Sequence, residues 1–235
     1  ILAAAVDKTE NLEKKDVDDI MIGCSFPEAE QGLNIGRLAS QMAGFINEVT
    51  GATVNRFCAS GLEAIALAAL KVQAGWADAT IGGGVESMTY VPMGGSIPRP
   101  HPTFAKTQSE LYISMGLTAE NVANRYNVSR EQQDEFAALS QQKAAAARAN
   151  KWFTEIVPTP AARFVQEKNG TFRKETFIQD HDDGIRDSTT AESLAKLRPA
   201  FSASGSVTAG NSSQMTDGAA ATILVSKEKV QELGL

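Results

Sequence analysis

Cysteine, histidine and aromatic residues are scarce in this chain, and each scarcity removes a class of protein. Only two cysteines, Cys24 and Cys58, occur in 235 residues, which excludes a disulfide scaffold and any CxxC zinc or redox motif. The expected location is therefore a reducing compartment, cytoplasmic, with an organelle matrix as the eukaryotic alternative. The two histidines, His101 in RPHP and His181 in QDHDDG, have no Cys or His beside them, so no metal site is expected. Aromatics make up 6% of the chain and the net charge is −6. No Lys/Arg cluster interleaves with aromatic rings, which argues against a nucleic-acid partner and against an anionic membrane surface. No apolar run approaches the roughly 18 residues of a membrane span, and the opening ILAAAVDKTE lacks the basic start of a signal peptide. What the chain does have is 43% hydrophobic content, enough for one large or two smaller cores.

The hydrophobic pattern alternates between strand and helix. Ile1 to Lys15 reads as the later part of an amphipathic helix and a charged turn. Val17 to Ser25 reads as a buried strand with Cys24 as core packing at its end. A helix is expected around Asn34 to Thr50, a strand near Thr53 to Arg56, a helix from Cys58 to about Ala74, and a short strand over Ala79 to Ser87. This is the alternation of a layered α/β sheet with at least some parallel pairing. After Tyr90 the Gly/Pro-rich VPMGGSIPRPHP cannot continue a central strand and marks an excursion from the sheet. A helix capped by Thr118 runs to Tyr126, and the Ser129/Gln132 capping box opens a long helix ending near Asn150. Glu155 to Val157 and Arg163 to Lys168 read as strands, and Asn169-Gly170 is a two-residue hairpin turn before Thr171 to Ile178. Thr189 and Glu192 have capping-box spacing ahead of a short helix that Pro199 closes. The apolar run Ala219 to Ser226 reads as a central strand returning to the first sheet, followed by a helix in KEKVQELGL. IGGGVES lacks the spacing of a phosphate loop and reads as a tight turn beneath the site. Asn211 and Asp217 are expected to shape the loop that leads back to the sheet.

Cys58 lies where an apolar stretch stops and an Ala/Leu-rich helix begins, in VNRFCASGLEAIALAAL. A cysteine there reads either as a packed junction residue or as a nucleophile, because unpaired N–H groups and the helix dipole at a helix start favour thiolate. Gly61, one turn on, leaves space for another backbone or a ligand to approach the sulfur. The surrounding segments favour the nucleophile. NRFCASGLEAI (Asn55 to Ile65), GGGVESMTYVPMGG (Gly82 to Gly95), MGLTAENVA (Met115 to Ala123), SREQQDEFAALSQQKA (Ser129 to Ala144) and LRPAFSASGSVTAGNSSQMTDGAAA (Leu197 to Ala221) together resemble the thiolase family, in that order and over nearly the whole chain.

That resemblance implies a fold: a layered αβα N-terminal domain, residues 1–90 and 216–235, with an inserted, largely helical loop domain, residues 91–215, that binds coenzyme A. It also implies that a first strand and turn precede Ile1 and that a C-terminal thiolase domain, absent here, supplies the catalytic histidines and a second cysteine. On that reading this chain alone carries the nucleophile without its base and is inactive by itself. The activity implied is that of an acyltransferase in fatty-acid β-oxidation. Cys58 attacks the ketone of a 3-ketoacyl-CoA, acetyl-CoA leaves, and free CoA takes the shortened acyl group from sulfur. Coenzyme A is thus a substrate, and no permanently bound cofactor is expected. Carried over by motif, the CoA contacts are Met115, Arg186, Ser193, Phe201, Ala209 and Ser213. Arg186 suits a phosphate or an adenine face, Ser193 and Ser213 the pantetheine arm, and Met115 and Phe201 an apolar tunnel. Ser114 stands where some short-chain members carry His, which implies a roomier tunnel wall.

The VPMGG and PRP elements resemble the degradative 3-ketoacyl-CoA thiolases more than the acetoacetyl-CoA enzymes. A short-chain acetyl-CoA acetyltransferase, a non-catalytic CoA-binding module and a cysteine hydrolase unrelated to CoA are the alternatives. The last lacks a motif-placed His partner. The family implies a homodimer or homotetramer when complete.

Overall fold

Asp19–Gly23 forms β1, a strand whose every residue is buried. The structure, a computed structural model, describes all residues from Ile1 to Leu235. Burial on both faces demands a helix on either side, and the sequence supplies them. β1 is flanked by β2 (Thr50–Val54) and β3 (Ala79–Glu86), both parallel to it. β3 pairs in turn with an antiparallel strand, β6 (Gly218–Val225), giving the order β2-β1-β3-β6. On one face, α1 (Leu2–Asp7) and α2 (Ile35–Met42) cover Ile20, Ile22 and Ile81, with Leu2, Val6, Phe45 and Val49 completing the cluster. On the other, α3 (Ser60–Gln73) lays Ala64 and Ala68 on Met21. The result is the layered α/β/α arrangement expected. An α8 helix (Lys227–Leu233) follows β6.

Small residues set how closely α3 approaches the sheet. A β-carbon on Gly23 would lie 2.3 Å from the Ser60 backbone, and one on Gly82 would lie 2.6 Å from Ile65 Cα. Both sit on the α3 face of the sheet: Gly23 alternates with Asp19 and Met21 along β1, and Gly82 is in register with Met21. The glycines of IGGGVES are therefore not a turn, as expected, but the interior of β3, where they thin the sheet for the helix. Beside Gly61 the neighbour is the Gly84 backbone: a β-carbon on Gly61 would stand 4.0 Å from Gly84 Cα, an ordinary contact that leaves the space open. At the far end of α3, Lys71 pairs with buried Asp19, whose other oxygen accepts the Thr50 hydroxyl at 2.7 Å.

The chain divides into two compact units, Ile1–Arg99 with Met215–Leu235, and Pro100–Gln214. The divisions fall near Arg99/Pro100 and Gln214/Met215, against the expected 90/91 and 215/216. The second unit contains α4 (Pro102–Thr107), α5 (Met115–Tyr126), α6 (Arg130–Ala149), the hairpin β4 (Thr159–Gln166) and β5 (Phe172–Gln179), and the single-turn α7 (Ala191–Leu194). In it Ser129 and Gln132 form their capping box on α6 and Asn169-Gly170 closes the hairpin, as read from sequence.

Several expectations need correction. The helix expected over Asn34 to Thr50 stops at Met42, because Gly44 adopts φ 77° and the chain must reach β2. α5 starts at Met115, not beyond Thr118, with Ser114 as its cap accepting the Leu117 N–H. Glu155 to Val157 is not a strand, and β4 starts at Thr159. The α7 capping box is Thr190/Ser193, one residue on from the expected pair. β6 lies at the edge of this sheet rather than at its centre. α4 has no counterpart among the expected elements, because its Pro102 opens the helix from a Gly/Pro-rich segment that reads as loop.

Candidate active site

Three parallel strands end on one side of the sheet, delivering Cys24 after β1, Asn55 to Cys58 after β2 and Glu86 at the close of β3. The loops after β1 and β2 lead to helices on opposite faces, which opens a crevice at their carboxyl ends, the usual ligand position in such sheets. Three non-glycine residues in these two loops take left-handed backbone: Ala29 (φ 48°), Leu33 (φ 56°) and Phe57 (φ 46°). Each costs free energy that the fold must offset, and such residues gather where geometry is held for function.

Cys58 is exposed and sits two residues before Ser60, the first residue of α3, so it precedes the helix rather than starting it. The loop around it is closely tied. Asn55 Oδ1 accepts the Phe57 N–H at 2.9 Å. The Ser60 hydroxyl accepts the Arg56 N–H at 2.9 Å and donates to the Phe57 carbonyl at 2.5 Å. The Ala59 and Ser60 amides close back on the Arg56 and Phe57 carbonyls. Arg56 forks onto Glu63 in the first turn of α3, at 2.9 and 2.8 Å. This leaves the Cys58 N–H without an intramolecular acceptor. The helix start is also open, since its N-cap, Ala59, has no side chain to cap it. An exposed thiol beside free backbone donors can form a thioester and stabilise the oxyanion that precedes it.

Cys24 differs in every respect. It is fully buried, and burial together with the neighbouring Glu86 carboxylate pushes its thiol up to about 11. It is a packing residue, as read from sequence.

In the second unit α5 and α6 hold the remaining candidates in one assembly. Phe201 lies over Gly116, beside Met115 at the start of α5; a β-carbon on Gly116 would fall 2.1 Å from the ring. Glu120 of α5 is buried and accepts the Ser206 and Val207 N–H groups and the Ser206 hydroxyl. Burial alone would raise its pKa, but those three donors hold it below the ordinary carboxylate value. Buried Asp134 of α6 accepts Arg130 at 2.7 Å and the Asn211 side chain at 3.0 Å. Asn211 returns its oxygen to the Thr208 N–H at 2.7 Å. The loop bearing Ala209 and Ser213 is thereby clamped from two helices, with both residues exposed. Arg130 also donates to the Leu194 and Leu197 carbonyls, fixing α7 and Ser193. Ser193 is less available than expected, because its hydroxyl donates to the Thr190 carbonyl at 2.7 Å and accepts the Thr190 N–H. Arg186 is exposed, its N–H held by Gln141 at 2.8 Å. Asn211 and Asp217 shape their loops as expected, Asp217 by accepting the Thr89 N–H. Glu120, Asp134 and Glu86 were not singled out in the sequence. The signal for the first two was a carboxylate on the inward face of an otherwise apolar helical stripe.

No helix is long and apolar enough to cross a membrane. His181 pairs with Asp180 at 2.6 Å, and the His101 ring lies 5.2 Å from that of Phe104.

Fold and site define a layered α/β/α protein presenting an exposed cysteine at the carboxyl ends of parallel strands. The family described as "Thiolase, N-terminal domain" matches residues 1–228, and the chain belongs to the thiolase family. It is 50% identical over 220 residues to the 3-ketoacyl-CoA thiolase of Bacillus subtilis (strain 168), covering 93% of this chain and 56% of that protein. It is 43% identical to the peroxisomal 3-ketoacyl-CoA thiolase 2 of Arabidopsis thaliana, over 100% of this chain and 50% of that one. It is 44% identical to the human peroxisomal 3-ketoacyl-CoA thiolase, over 98% and 54%. The chain thus spans about half the length of the curated relatives it matches.

Proposed function

We propose that this chain carries the acyl-accepting cysteine of a 3-ketoacyl-CoA thiolase. In the first step the Cys58 sulfur attacks the C3 ketone of a 3-ketoacyl-CoA. The C2–C3 bond breaks, the acyl group stays on sulfur as a thioester, and C2 takes the proton that the thiol gave up, leaving as acetyl-CoA. In the second step the CoA thiol attacks the thioester, releasing a shortened acyl-CoA and returning the proton to Cys58. The second step exchanges one thioester for another of similar energy, so acyl transfer between Cys58 and CoA runs in either direction. The free Cys58 N–H is one donor for each tetrahedral oxyanion, a contribution of about 3 kcal/mol for a single well-placed donor.

The observation that carries this reading is the exposed Cys58 with its unpaired amide at the open start of α3. The printed names of the relatives favour the degradative reaction over acetoacetyl-CoA synthesis. Met115, Arg186, Ser193, Phe201, Ala209 and Ser213 are the proposed CoA contacts; the clamped loop between Glu120 and Asp134 supports Ala209 and Ser213 in that role. Given the Ser193 cap, its part is assigned to the carbonyl and the surface of α7 rather than to a free hydroxyl. Association of whole subunits as a homodimer or homotetramer belongs to the same proposal.

The test is the intact mass of the chain before and after exposure to a 3-ketoacyl-CoA, with Cys58→Ser beside it. An acyl increment on the wild type that the serine variant lacks supports the reading: it is a single acylation, short of the turnover that the chain by itself is expected to lack, and shows that these residues already activate the thiol. An unmodified thiol with CoA still bound would instead favour a CoA-binding module.

A further inference from the structure

The carboxyl ends of β1 and β3 hold a polar cluster for which acyl transfer at Cys58 has no direct use. The Glu86 carboxylate accepts the Ser25 N–H at 2.7 Å and the Gln31 side-chain amide at 2.6 Å, and the Cys24 sulfur stands 3.8 Å away. Gln31 is only 3% exposed. Its amide nitrogen also donates to the Phe26 carbonyl at 2.9 Å, and its oxygen accepts the Ser87 N–H at 2.9 Å. A carboxylate and an amide, each with several partners in a partly desolvated place, fix the loop after β1 to the end of β3.

That loop in turn meets the nucleophile's own. The Phe26 ring lies 5.9 Å from the Phe57 ring, tilted by 49°. Phe57 is the residue before Cys58, and it holds the left-handed conformation. A bulky side chain leaves that region unless contacts on both sides keep it there. Asn55 holds the Phe57 N–H from one side. Phe26 holds the ring from the other.

We infer that Glu86 is a positioning residue for Cys58: through Gln31 and Phe26 it keeps Phe57 in the left-handed conformation that presents the thiol. The inference rests on the reading of Cys58 as the acyl acceptor. Its structural half is testable without that reading.

The experiment compares the full chain with Glu86→Gln and Phe26→Leu. Hydrogen exchange is read over residues 24–34 and 55–60, and Cys58 is challenged separately with a 3-ketoacyl-CoA and with iodoacetamide. Glu86→Gln replaces one of the two acceptor oxygens by an NH2 group, which must then face either the Ser25 N–H or the Gln31 amide. Exchange over residues 55–60 should rise about tenfold as the loop opens. Acylation, which needs an aligned thiol, should slow about tenfold, whereas alkylation by the small reagent should change less than about twofold. Phe26→Leu keeps the polar cluster and removes the ring contact; it should reproduce the change at residues 55–60 and decides the matter if Glu86→Gln does not fold. A brace that served only its own loop would loosen residues 24–34 under Glu86→Gln and leave 55–60 and acylation untouched, and that result overturns the inference. So does an unchanged 55–60 segment in Phe26→Leu. If the wild-type chain takes no acyl group at all, the assignment of Cys58 falls, while the exchange comparison still rules for or against the brace.

Discussion

Gly23→Ala is the change that asks most of this fold. The added methyl would sit 2.3 Å from the carbonyl carbon and oxygen of Ser60 and 2.5 Å from the Gly61 nitrogen. All three are backbone atoms of the first turn of α3, so no rotamer can relieve the overlap. Either α3 lifts from the sheet by about an ångström or β1 bends, and overpacking of this kind costs about 3 kcal/mol, the upper end for one inserted carbon. With a urea dependence of about 2 kcal/mol per molar, the midpoint should fall by about 1.5 M. The assay needs a reporter confined to this unit. Trp76 lies in the first unit and Trp152 in the second, so a Trp152→Phe background leaves Trp76 fluorescence to follow the sheet alone. Gly218→Ala is the control: it lies in the same sheet, with nothing within 4 Å of a new β-carbon, and its midpoint should shift by no more than about 0.25 M, the effect of an ordinary surface change. Because lifting α3 also moves the Cys58 loop, acylation in Gly23→Ala should fall further than stability requires. A midpoint equal to that of the control would refute the argument that sheet glycines set the seat of α3.

Two further predictions concern titrating groups. Glu120→Ala leaves the Ser206 and Val207 amides without acceptors and should cost about 2 kcal/mol in the second unit, read from Trp152 fluorescence. Because the folded pKa of Glu120 is held below its ordinary 4.5, the unfolded chain binds its proton first. The stability it contributes is complete above that value and is lost as pH falls through the folded pKa; urea midpoints of the wild type should therefore drop between pH 5 and 3 more than those of the variant. Cys24 runs the other way. With its thiol pushed from 9.0 to about 11, the folded state keeps a proton that the unfolded chain gives up, so stability should decline from pH 9 to 11, and Cys24→Ala should flatten that decline. At neutral pH, mass spectrometry after iodoacetamide should find Cys58 labelled and Cys24 labelled only in urea.

Much of this was legible in the residues because local pattern and tertiary use agree. The buried run around Ile20 to Ile22, the Ala/Leu stripe of α3 and the Asn169-Gly170 turn each have one physical solution, and the structure adopts it. IGGGVES is a strand rather than a turn because glycine serves either a bend or a close approach, and only the helix that lies on Gly82 separates the two. Thr189/Glu192 and Thr190/Ser193 share the same spacing, and the choice between them depends on where Arg130 holds the end of α7. Cys58 was visible from its junction. The polar groups that shape its surroundings were not, because Gln31 and Glu86 are far apart in sequence and meet only when β1 and β3 pair.

The pairing of β3 with β6 joins Ala79 to Val225 and Glu86 to Gly218, so the sheet is completed only after everything from Ser87 to Asp217 has been made. At roughly 5–20 residues per second of synthesis, the outer edge of β3 waits on the order of ten seconds on the ribosome with its hydrogen-bonding groups open. During that interval Ile81 and the thin glycine run beside it form an apolar strand edge of the kind that recruits other nascent chains. If the second unit folds before its last residues emerge, it shortens the effective span that β6 must close, since closure entropy depends on the free length remaining. The rate at which Pro100–Gln214 becomes compact would then govern the yield of a sheet to which it contributes no strand.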